Sequence, residues 1–369
     1  MKLHRFDKLA ILLTVLVLHS GQGWADPWQQ TGSARISAEY DTNPAMSLNN
    51  PSGAWQLLFE PSYTLAGRLG ENALKTGLAL QIARSSNENL IHNRDSPSVF
   101  IDWLRNSVAG EFGVTSRYAE IATRDAGIDA STQVPLDSIR SSRTLSGRWN
   151  KALSERSIIS ADGSYENVSY TGGTYIGYAT RLENMMFSYV WSERNTPFLK
   201  ASHNDYEPAD NSSPGTYVDS LLGGLNWILS DYLQGTLQVG RYKMNDTEMG
   251  TQGGMLVRYA GQRTGLVVNA ERLVSPSGLG GLVTVDQVNA NWNYALSERS
   301  NTGIDLGWRK SQLVTDVIYR TTSVWLQRDL NSFWGLRTYY LYRNFKQEGL
   351  DVGSSNILGL SLVYTYTDF

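Results

Sequence analysis

Along most of the chain, hydrophobic and polar residues alternate with a period of two. In the segment 304–309 every even-numbered residue is apolar, and every odd-numbered residue is charged or glycine. The segments 74–82 and 266–271 largely follow the same alternation. A period of two predicts β-strands with one apolar face and one polar face. Repeated over a whole chain, it is typical of a transmembrane β-barrel, whose outer wall faces lipid and whose inner wall faces water.

The alternating segments predict an all-β fold, an antiparallel up-and-down transmembrane β-barrel of about 18 strands. The even number is the one expected of single-chain bacterial barrels. Sixteen is the alternative, because the weak segment 97–105 and its successor could form one bent hairpin arm. The predicted strands are 33–43, 54–66, 73–85, 97–105, 107–118, 139–151, 156–170, 174–182, 185–201, 216–228, 233–244, 251–260, 264–274, 282–294, 300–311, 316–328, 333–346 and 354–369.

Two nearly identical segments, 149–157 and 292–300, share the sequence Trp-Asn-x-Ala-Leu-Ser-Glu-Arg-Ser. Looser copies occur at 227–232 and 330–333. Each copy lies between two alternating segments, so each predicts a tight hairpin turn with an aromatic residue just before it. Trp and Tyr concentrate at membrane interfaces. Because the spacing of the copies is irregular, they indicate shared periplasmic turns rather than a solenoid or propeller repeat.

The connections predicted at the other end of the barrel are longer and polar. They are 42–52, 86–97, 121–139 and 203–215. We expect them to face the exterior, where selectivity and surface recognition usually lie in such proteins. The segment 121–139 is the best candidate for a loop that folds inward and narrows the lumen.

The first 25 residues have the features of a cleaved secretory signal peptide. Lys2, Arg5 and Lys8 precede the apolar run 9–18, and a small-residue cleavage site ends at Ala25. That run is well short of the roughly 20 residues that a membrane-spanning helix needs. We therefore expect cleavage after Ala25, leaving residues 26–369 as the outer-membrane barrel. A retained N-terminal anchor is the alternative.

Composition narrows the function classes. The chain has a net charge of −3, 18% charged residues, 11 Trp, 20 Tyr and no cysteine. The mild acidity argues against a nucleic-acid partner, which calls for a basic patch. The lack of cysteine excludes disulfides, thiolate chemistry and cysteine-based metal sites. No phosphate-binding loop, calcium loop or metal-spaced histidine pair occurs in the sequence, so we expect no cofactor and no metal site.

Enzymatic activity is not expected either. Only His92 and His203 lie beyond the signal peptide, and both fall in predicted outer loops. A barrel protease or phospholipase needs a histidine that a carboxylate or amide holds near the rim. The run from His203 to Asp205 offers these residue types, but we interpret it as a solvated loop.

The polar face of the strands is what remains for function. Both signs of charge occur there, so a given residue is either one half of a cross-strand pair or part of a ring that sets ion preference. Small residues such as Gly77, Gly113, Gly303 and Gly307 recur on this face and predict an open or loop-lined lumen. The pore-lining candidates are Lys75, Gln81, Glu111, Arg117, Asp162, Glu166, Asn269, Glu271, Asp305, Arg309, Arg337 and Arg343.

The chain ends in Phe369, which follows an alternating segment. A terminal Phe resembles the C-terminal signal by which the barrel-assembly machinery recognises outer-membrane barrels. The usual apolar residues two and four positions before it are here Thr367 and Thr365. Phe369 therefore supports the barrel prediction only together with the alternation.

The strand end Tyr40-Asp41-Thr42-Asn43 and the Leu-Ser-Glu-Arg-Ser turns resemble those of a loosely defined family of β-barrel porins. Members of this family, the β-barrel porin 2-like proteins, are associated with exopolysaccharide biosynthesis. There, a Tyr-Asp-x-Asn element ends the first strand, and turns of the form aromatic-x-Leu-Ser/Thr-x-Arg recur. The resemblance covers the mature chain but concerns structural motifs, not chemistry. It implies an outer-membrane channel that serves the export of polysaccharide or another secreted polymer.

Two function classes stay open. The first is a passive or gated channel in the outer membrane of a Gram-negative bacterium, passing hydrophilic solutes or a secreted polysaccharide. The second is a structural barrel without transport that scaffolds an envelope or exopolysaccharide-secretion complex. An open lumen would favour the channel and a packed lumen the scaffold. The partners expected are outer-membrane lipid, the barrel-assembly machinery and the transported solute or polysaccharide.

Overall fold

The computed structural model describes residues 28–126, 138–172, 175–210, 214–245, 248–312, 316–349 and 352–367. The predicted signal peptide, its cleavage site at Ala25 and the terminal Phe369 lie outside the described residues. So does most of the predicted inward-folding segment 121–139. Within the described residues, the chain forms one sheet of eighteen strands and a single helical turn, α1 (Thr123–Ala126).

The sheet closes on itself into an antiparallel barrel. Each strand pairs with its neighbours in sequence, and β1 pairs with both β2 and β18, so the sheet has no free edge. Closure of this kind satisfies every strand's backbone groups within the sheet. The prediction of eighteen strands is confirmed, and the sixteen-strand alternative is wrong. The strands are β1 (Trp28–Asp41), β2 (Ala54–Leu69), β3 (Asn72–Ser85), β4 (Arg94–Ser107), β5 (Gly110–Ala122), β6 (Ile139–Ala152), β7 (Ser157–Thr171), β8 (Tyr178–Tyr189), β9 (Asn195–Pro208), β10 (Thr216–Ser230), β11 (Leu233–Met244), β12 (Glu248–Ala260), β13 (Thr264–Pro276), β14 (Leu282–Ser297), β15 (Ser300–Gln312), β16 (Asp316–Asp329), β17 (Trp334–Gln347) and β18 (Val352–Thr367).

The hairpin formed by β8 and β9 corrects the sequence prediction. A turn was predicted between 182 and 185, but β8 continues to Tyr189 and β9 begins at Asn195. The alternation is interrupted there because two charged residues, Arg181 and Glu183, lie on the outer face of β8. Because β9 begins and ends later than predicted, it includes His203. This histidine therefore lies in a strand rather than in an outer loop.

Short turns connect the strands at the end of the barrel that also carries the beginning of β1. We call this the turn end and the opposite end the loop end. All four segments predicted as turns lie at the turn end. In each, a side-chain oxygen accepts hydrogen bonds from backbone N–H groups two or three residues on, as with Ser154 Oγ and Ser157 N at 3.1 Å. Asn331 Oδ1 does the same for Trp334 N at 2.9 Å. Such Asx and ST turns explain why Ser or Asn recurs in the motif.

The outer wall is apolar and exposed. Leu57, Leu145, Leu306 and Leu358 are each between 48% and 64% exposed, which in water would be unfavourable for so many large side chains. Exposed aromatic residues gather on this wall close to the turn end, as the membrane-interface argument expects. They include Trp28, Tyr189, Trp292, Trp334 and Tyr366.

The Tyr40-Asp41-Thr42-Asn43 element fixes the first loop to the closing strands. Asp41 accepts hydrogen bonds from Arg343 at 2.5 Å and from Ser355. The Asn43 side chain donates to the Ser354 carbonyl at 3.0 Å. The loop that follows packs Met46 against Val317 and Phe345 in a small buried cluster. The element therefore holds a loop over part of the loop end.

Several inward glycines lie beneath aromatic rings. A Cβ at Gly77 would collide with Phe100, and one at Gly303 would collide with Trp325. Inward pairs of the same kind join Gly224 to Phe198, Gly250 to Tyr242 and Gly359 to Tyr339. We call these five pairs glycine seats, because in each the aromatic ring of one strand occupies the space that a side chain at the glycine of the neighbouring strand would need. The small size of Gly77 and Gly303 therefore accommodates a neighbouring ring and does not by itself leave room in the lumen.

Candidate functional site

The inner wall of the barrel is the candidate site. One interior cavity is lined by alternate residues of neighbouring strands, including Thr321, Tyr339 and Arg343. The antiparallel register carries this inward face from each strand to the next around the closed barrel. It places all twelve predicted pore-lining residues on the inner wall, namely Lys75, Gln81, Glu111, Arg117, Asp162, Glu166, Asn269, Glu271, Asp305, Arg309, Arg337 and Arg343.

Most of the carboxylates on this wall contact a neighbouring strand. Glu60 accepts hydrogen bonds from Arg35 at 2.5 Å and from Gln81 at 2.8 Å. Glu166 pairs with Arg140 at 3.0 Å, and Glu111 with Arg148 at 3.4 Å. Asp162, Glu271 and Asp305 accept from Asn184, Gln287 and Asn291 respectively. Three of these carboxylates therefore form cross-strand charge pairs with arginines, and the other three are held by neutral carboxamides across the strand.

Two glycine seats place cations over aromatic rings. Lys75 and Arg117 approach the Phe100 ring to 5.9 and 6.0 Å from its centroid. The Arg337 guanidinium lies 4.5 Å from the centroid of Trp325. Each of these two rings thus contacts both a glycine and at least one cation of neighbouring strands, and the cation is stabilised by cation–π attraction. Residue types alone do not reveal this, because the ring and the cation come from different strands.

The interior cavity introduced above has a volume of about 510 Å³ and lies toward the loop end. Arg124 of α1, Arg309 of β15 and Arg343 of β17 line it, together with Glu39 and Tyr339. Arg124 is buried and donates to Gln56 of β2 at 2.6 Å, although α1 follows directly after β5. The described beginning of the segment 121–139 therefore reaches into the barrel interior. Tyr339 donates to Glu39 across the strand between them.

The wall formed by β8 to β14 differs from the rest, and sequence reasoning missed it. Among the side chains that the structure describes there, the inward charges are Lys200, Arg258 and Glu271. Carboxamides dominate instead, and we call this surface the amide wall. β14 alone presents four consecutive inward carboxamides, and they stand at alternate positions of its sequence. The amide wall comprises Asn184, Asn204, Asn226, Gln234, Gln238, Gln252, Asn269, Gln287, Asn289, Asn291 and Asn293.

His203 lies on the outer wall, not in a solvated loop. Its ring nitrogens contact Asp219 at 2.6 Å and Asp205 at 3.1 Å. The interpretation of the run from His203 to Asp205 as a solvated loop is therefore wrong. Both partners are carboxylates on the same face of β9 and β10, so the contacts hold the imidazole against the outer wall.

The described residues hold neither a cluster of metal-ligating side chains nor a membrane-spanning helix. No group of three or more His, Asp or Glu side chains there could hold a metal ion. None of the helices in the described part of the chain is long and apolar enough to cross a membrane.

Comparison with solved structures finds the same fold. OccAB2 of Acinetobacter baumannii aligns with a TM-score of 0.51 at 10% identity, over 95% of this chain and all of that one. The outer membrane protein OpdK of Pseudomonas aeruginosa gives 0.51 at 9% identity, over 94% and 100% of the two chains. OccAB3 of A. baumannii gives 0.50 at 11% identity, over 92% and 99%. No protein-family model and no curated protein matches the chain. At these identities the likeness is one of fold: a closed eighteen-stranded barrel of the kind found in porins.

Proposed function

We propose that the chain is an outer-membrane channel of a Gram-negative bacterium that passes hydrophilic solutes. The observation that carries the proposal is the division of the barrel into two walls. The outer wall exposes leucines and aromatic residues along its height, whereas the inner wall carries charges and carboxamides. A barrel divided in this way is suited to lipid outside and water inside. Eighteen strands also enclose a lumen wide enough for water.

The barrel is oriented with the turn end in the periplasm and the loop end outside. Short turns at one end and longer loops at the other are the usual arrangement of bacterial outer-membrane barrels. The aromatic residues near the turn end then lie at the inner membrane interface. On this orientation the cavity lined by Arg124 and Arg343 is the part of the lumen that a solute from the exterior meets first.

A secreted polysaccharide is the second candidate cargo, and the amide wall favours it. A carboxamide both donates and accepts hydrogen bonds, as a sugar hydroxyl does. Asn289, Asn291 and Asn293 are exposed to the lumen in sequence along one strand. This wall therefore offers repeated neutral contacts to a polyhydroxylated chain. The resemblance to porins associated with exopolysaccharide biosynthesis points in the same direction.

Conductance in a planar bilayer tests the channel. The purified barrel should give stable conductance steps, and neutral oligosaccharide added to one side should reduce the ion current if sugars enter the lumen. Asn289→Ala should weaken this block, since it removes a carboxamide from the amide wall. Asn167→Ala is the matched control, because Asn167 is exposed on the outer wall.

A heat-modifiable barrel without conductance would contradict the channel and support the scaffold alternative. Conductance without any block by oligosaccharide would support the channel and contradict the polysaccharide as its cargo. An equal change in block from Asn289→Ala and Asn167→Ala would show that the amide wall does not contact the sugar.

A further inference from the structure

The outer wall carries a groove of about 900 Å³ that crosses the strands from β5 to β12. One row of cross-strand neighbours follows it. Successive partners in the register run from Phe112 near the turn end to Arg241 near the loop end. The row is Phe112, Trp149, Ala161, Met185, Ala201, Leu221 and Arg241. Because neighbouring strands are staggered in a barrel, such a row climbs obliquely through the apolar part of the wall.

Small residues form the floor of the groove. Gly147, Ala161, Gly163 and Ala201 lie in its middle, and larger side chains such as Phe112, Met185 and Leu221 flank them. The hollow is open space rather than crowded backbone. A Cβ at Gly163 would make only an ordinary contact, 3.5 Å from the Leu182 carbonyl oxygen, and one at Gly147 would come no closer than 4.0 Å to any atom outside its chain neighbours.

Charged residues border the groove toward the loop end. Glu183, His203, Asp219 and Lys243 are consecutive partners in the next row. The carboxylates in this row have contacts of their own: Glu183 pairs with Arg181, and Asp219 contacts His203 at 2.6 Å.

Arg241 differs from the rest of this border. It is exposed at the end of the apolar row, and the salt bridges of the described residues give it no carboxylate within 4.0 Å. Together with Lys243, it places cationic side chains at the loop-end mouth of a lipid-facing groove.

We propose that this groove binds one phosphorylated lipid of the outer leaflet. An acyl chain lies over the floor formed by Gly147, Gly163 and Ala201, and a headgroup phosphate is bound by Arg241 and Lys243. The proposal rests on the membrane location and orientation given above. Charge complementarity favours a lipid over a second protein chain. In the proposed orientation the two cations lie on the loop-end side of the groove, the side of the outer-leaflet headgroups, and Arg and Lys bind phosphate by charge-assisted hydrogen bonds.

Lipid retention tests the proposal. The barrel is purified in mild detergent, incubated with bisphosphorylated lipid A, and measured by native mass spectrometry for bound lipid. Arg241→Gln with Lys243→Gln should weaken retention about tenfold, the effect of one charge-assisted hydrogen bond. The matched control is Arg320→Gln with Arg328→Gln, which removes the same charge from outward positions of β16.

A second pair of variants tests the groove itself without touching charge. Gly163→Leu should fill the floor and lower retention, while Gly32→Leu should not, because Gly32 faces outward on β1 with nothing within 4 Å of an added Cβ. Equal retention by groove and control variants would overturn the proposal, as would equal binding of a lipid that lacks phosphate. A dimer that Gly163→Leu abolishes would identify a second copy as the occupant instead. Conductance of the same variants is measured in parallel, so that loss of the channel is distinguished from loss of lipid.

Discussion

At the scale of single residues, the sequence predicts which face a side chain occupies but not which partner it meets. The inward position of Asp305 follows from its apolar neighbours on either side, because alternation is a local property. The pairing of Arg343 with Asp41 does not, since the two residues are 302 positions apart. They meet only because β18 closes the barrel against β1. The same closure explains why the Tyr-Asp-x-Asn element could be recognised but its role could not be derived.

The buried pair of Arg343 and Asp41 gives a prediction on stability. Both side chains are about 6–7% exposed, so Asp41→Ala leaves a buried guanidinium without its carboxylate. We expect the barrel to lose about 3 kcal/mol, as is usual when one partner of a buried pair is removed. The measurement is the urea unfolding curve of the refolded barrel, monitored by its electrophoretic mobility. Asp95→Asn breaks the more exposed pair with Arg84 and should cost no more than about 1 kcal/mol. Equal losses would show that the buried pair has no special role.

Leu306 and Asp305 give a prediction on the two faces of one strand. Leu306 faces outward and is 48% exposed, so Leu306→Arg should lower the free energy of unfolding by roughly 2–4 kcal/mol near the middle of the membrane. Asp305→Asn should fold normally, because it exchanges one wettable group for another beside Asn291. The yield of heat-modifiable barrel after refolding into vesicles measures both. Similar yields from the two variants would contradict the assignment of faces.

At the scale of strands and turns, the repeated motif was the most informative part of the sequence. The side chains of Ser154 and Asn331 satisfy the turn backbone locally, so the prediction needed nothing from the rest of the fold. The β8–β9 turn was misplaced because Arg181 and Glu183 interrupt the apolar pattern that marks the outer face of a strand. The glycine seats were missed for a different reason: a glycine in a strand indicates space only if no ring of the neighbouring strand occupies it.

The orientation of the turns can be tested by cysteine labelling. Because the chain has no cysteine of its own, any label reports the introduced residue. Two variants are compared, Ser154→Cys and Ser52→Cys. Ser154 lies in a turn at the turn end, and Ser52 is exposed in the first loop at the other end. On whole cells, a membrane-impermeant maleimide should label the cysteine at position 52 and not the one at 154. Both should react after the cells are opened. Labelling at 154 without labelling at 52 would reverse the orientation.

The glycine seats predict which glycines tolerate a methyl group. Gly303→Ala should displace the Trp325 ring and destabilise the barrel by about 1–3 kcal/mol, the usual cost of overpacking. Gly223→Ala should be tolerated, because nothing lies within 4 Å of a Cβ at that position. The measurement is the temperature at which each barrel loses its folded electrophoretic mobility. Equal stability of the two variants would mean that the Trp325 ring can move away from position 303 without cost.

At the scale of the whole molecule, the number of strands and the division into an apolar and a polar wall could be predicted, because both are sums of local patterns. The distribution of charge within the lumen could not. It depends on which strands become neighbours around the barrel, and this places the amide wall on β8 to β14 and most inward charges on the other strands. A cavity lined by Arg124, Arg309 and Arg343 likewise combines a loop with strands far along the chain.

Ion preference follows from this arrangement. Because inward carboxylates such as Glu60 and Glu166 are paired with arginines, neither sign dominates the lumen, and we expect the reversal potential in a KCl gradient to lie close to zero. Glu60→Gln removes the carboxylate between Arg35 and Gln81 and leaves the Arg35 charge facing the lumen, so it should shift the reversal potential toward that of chloride. Glu183→Gln removes the same charge from the outer wall and should leave the reversal potential unchanged. A strong preference in the unmodified barrel, or equal shifts from the two variants, would mean that ions do not follow the inner wall described here.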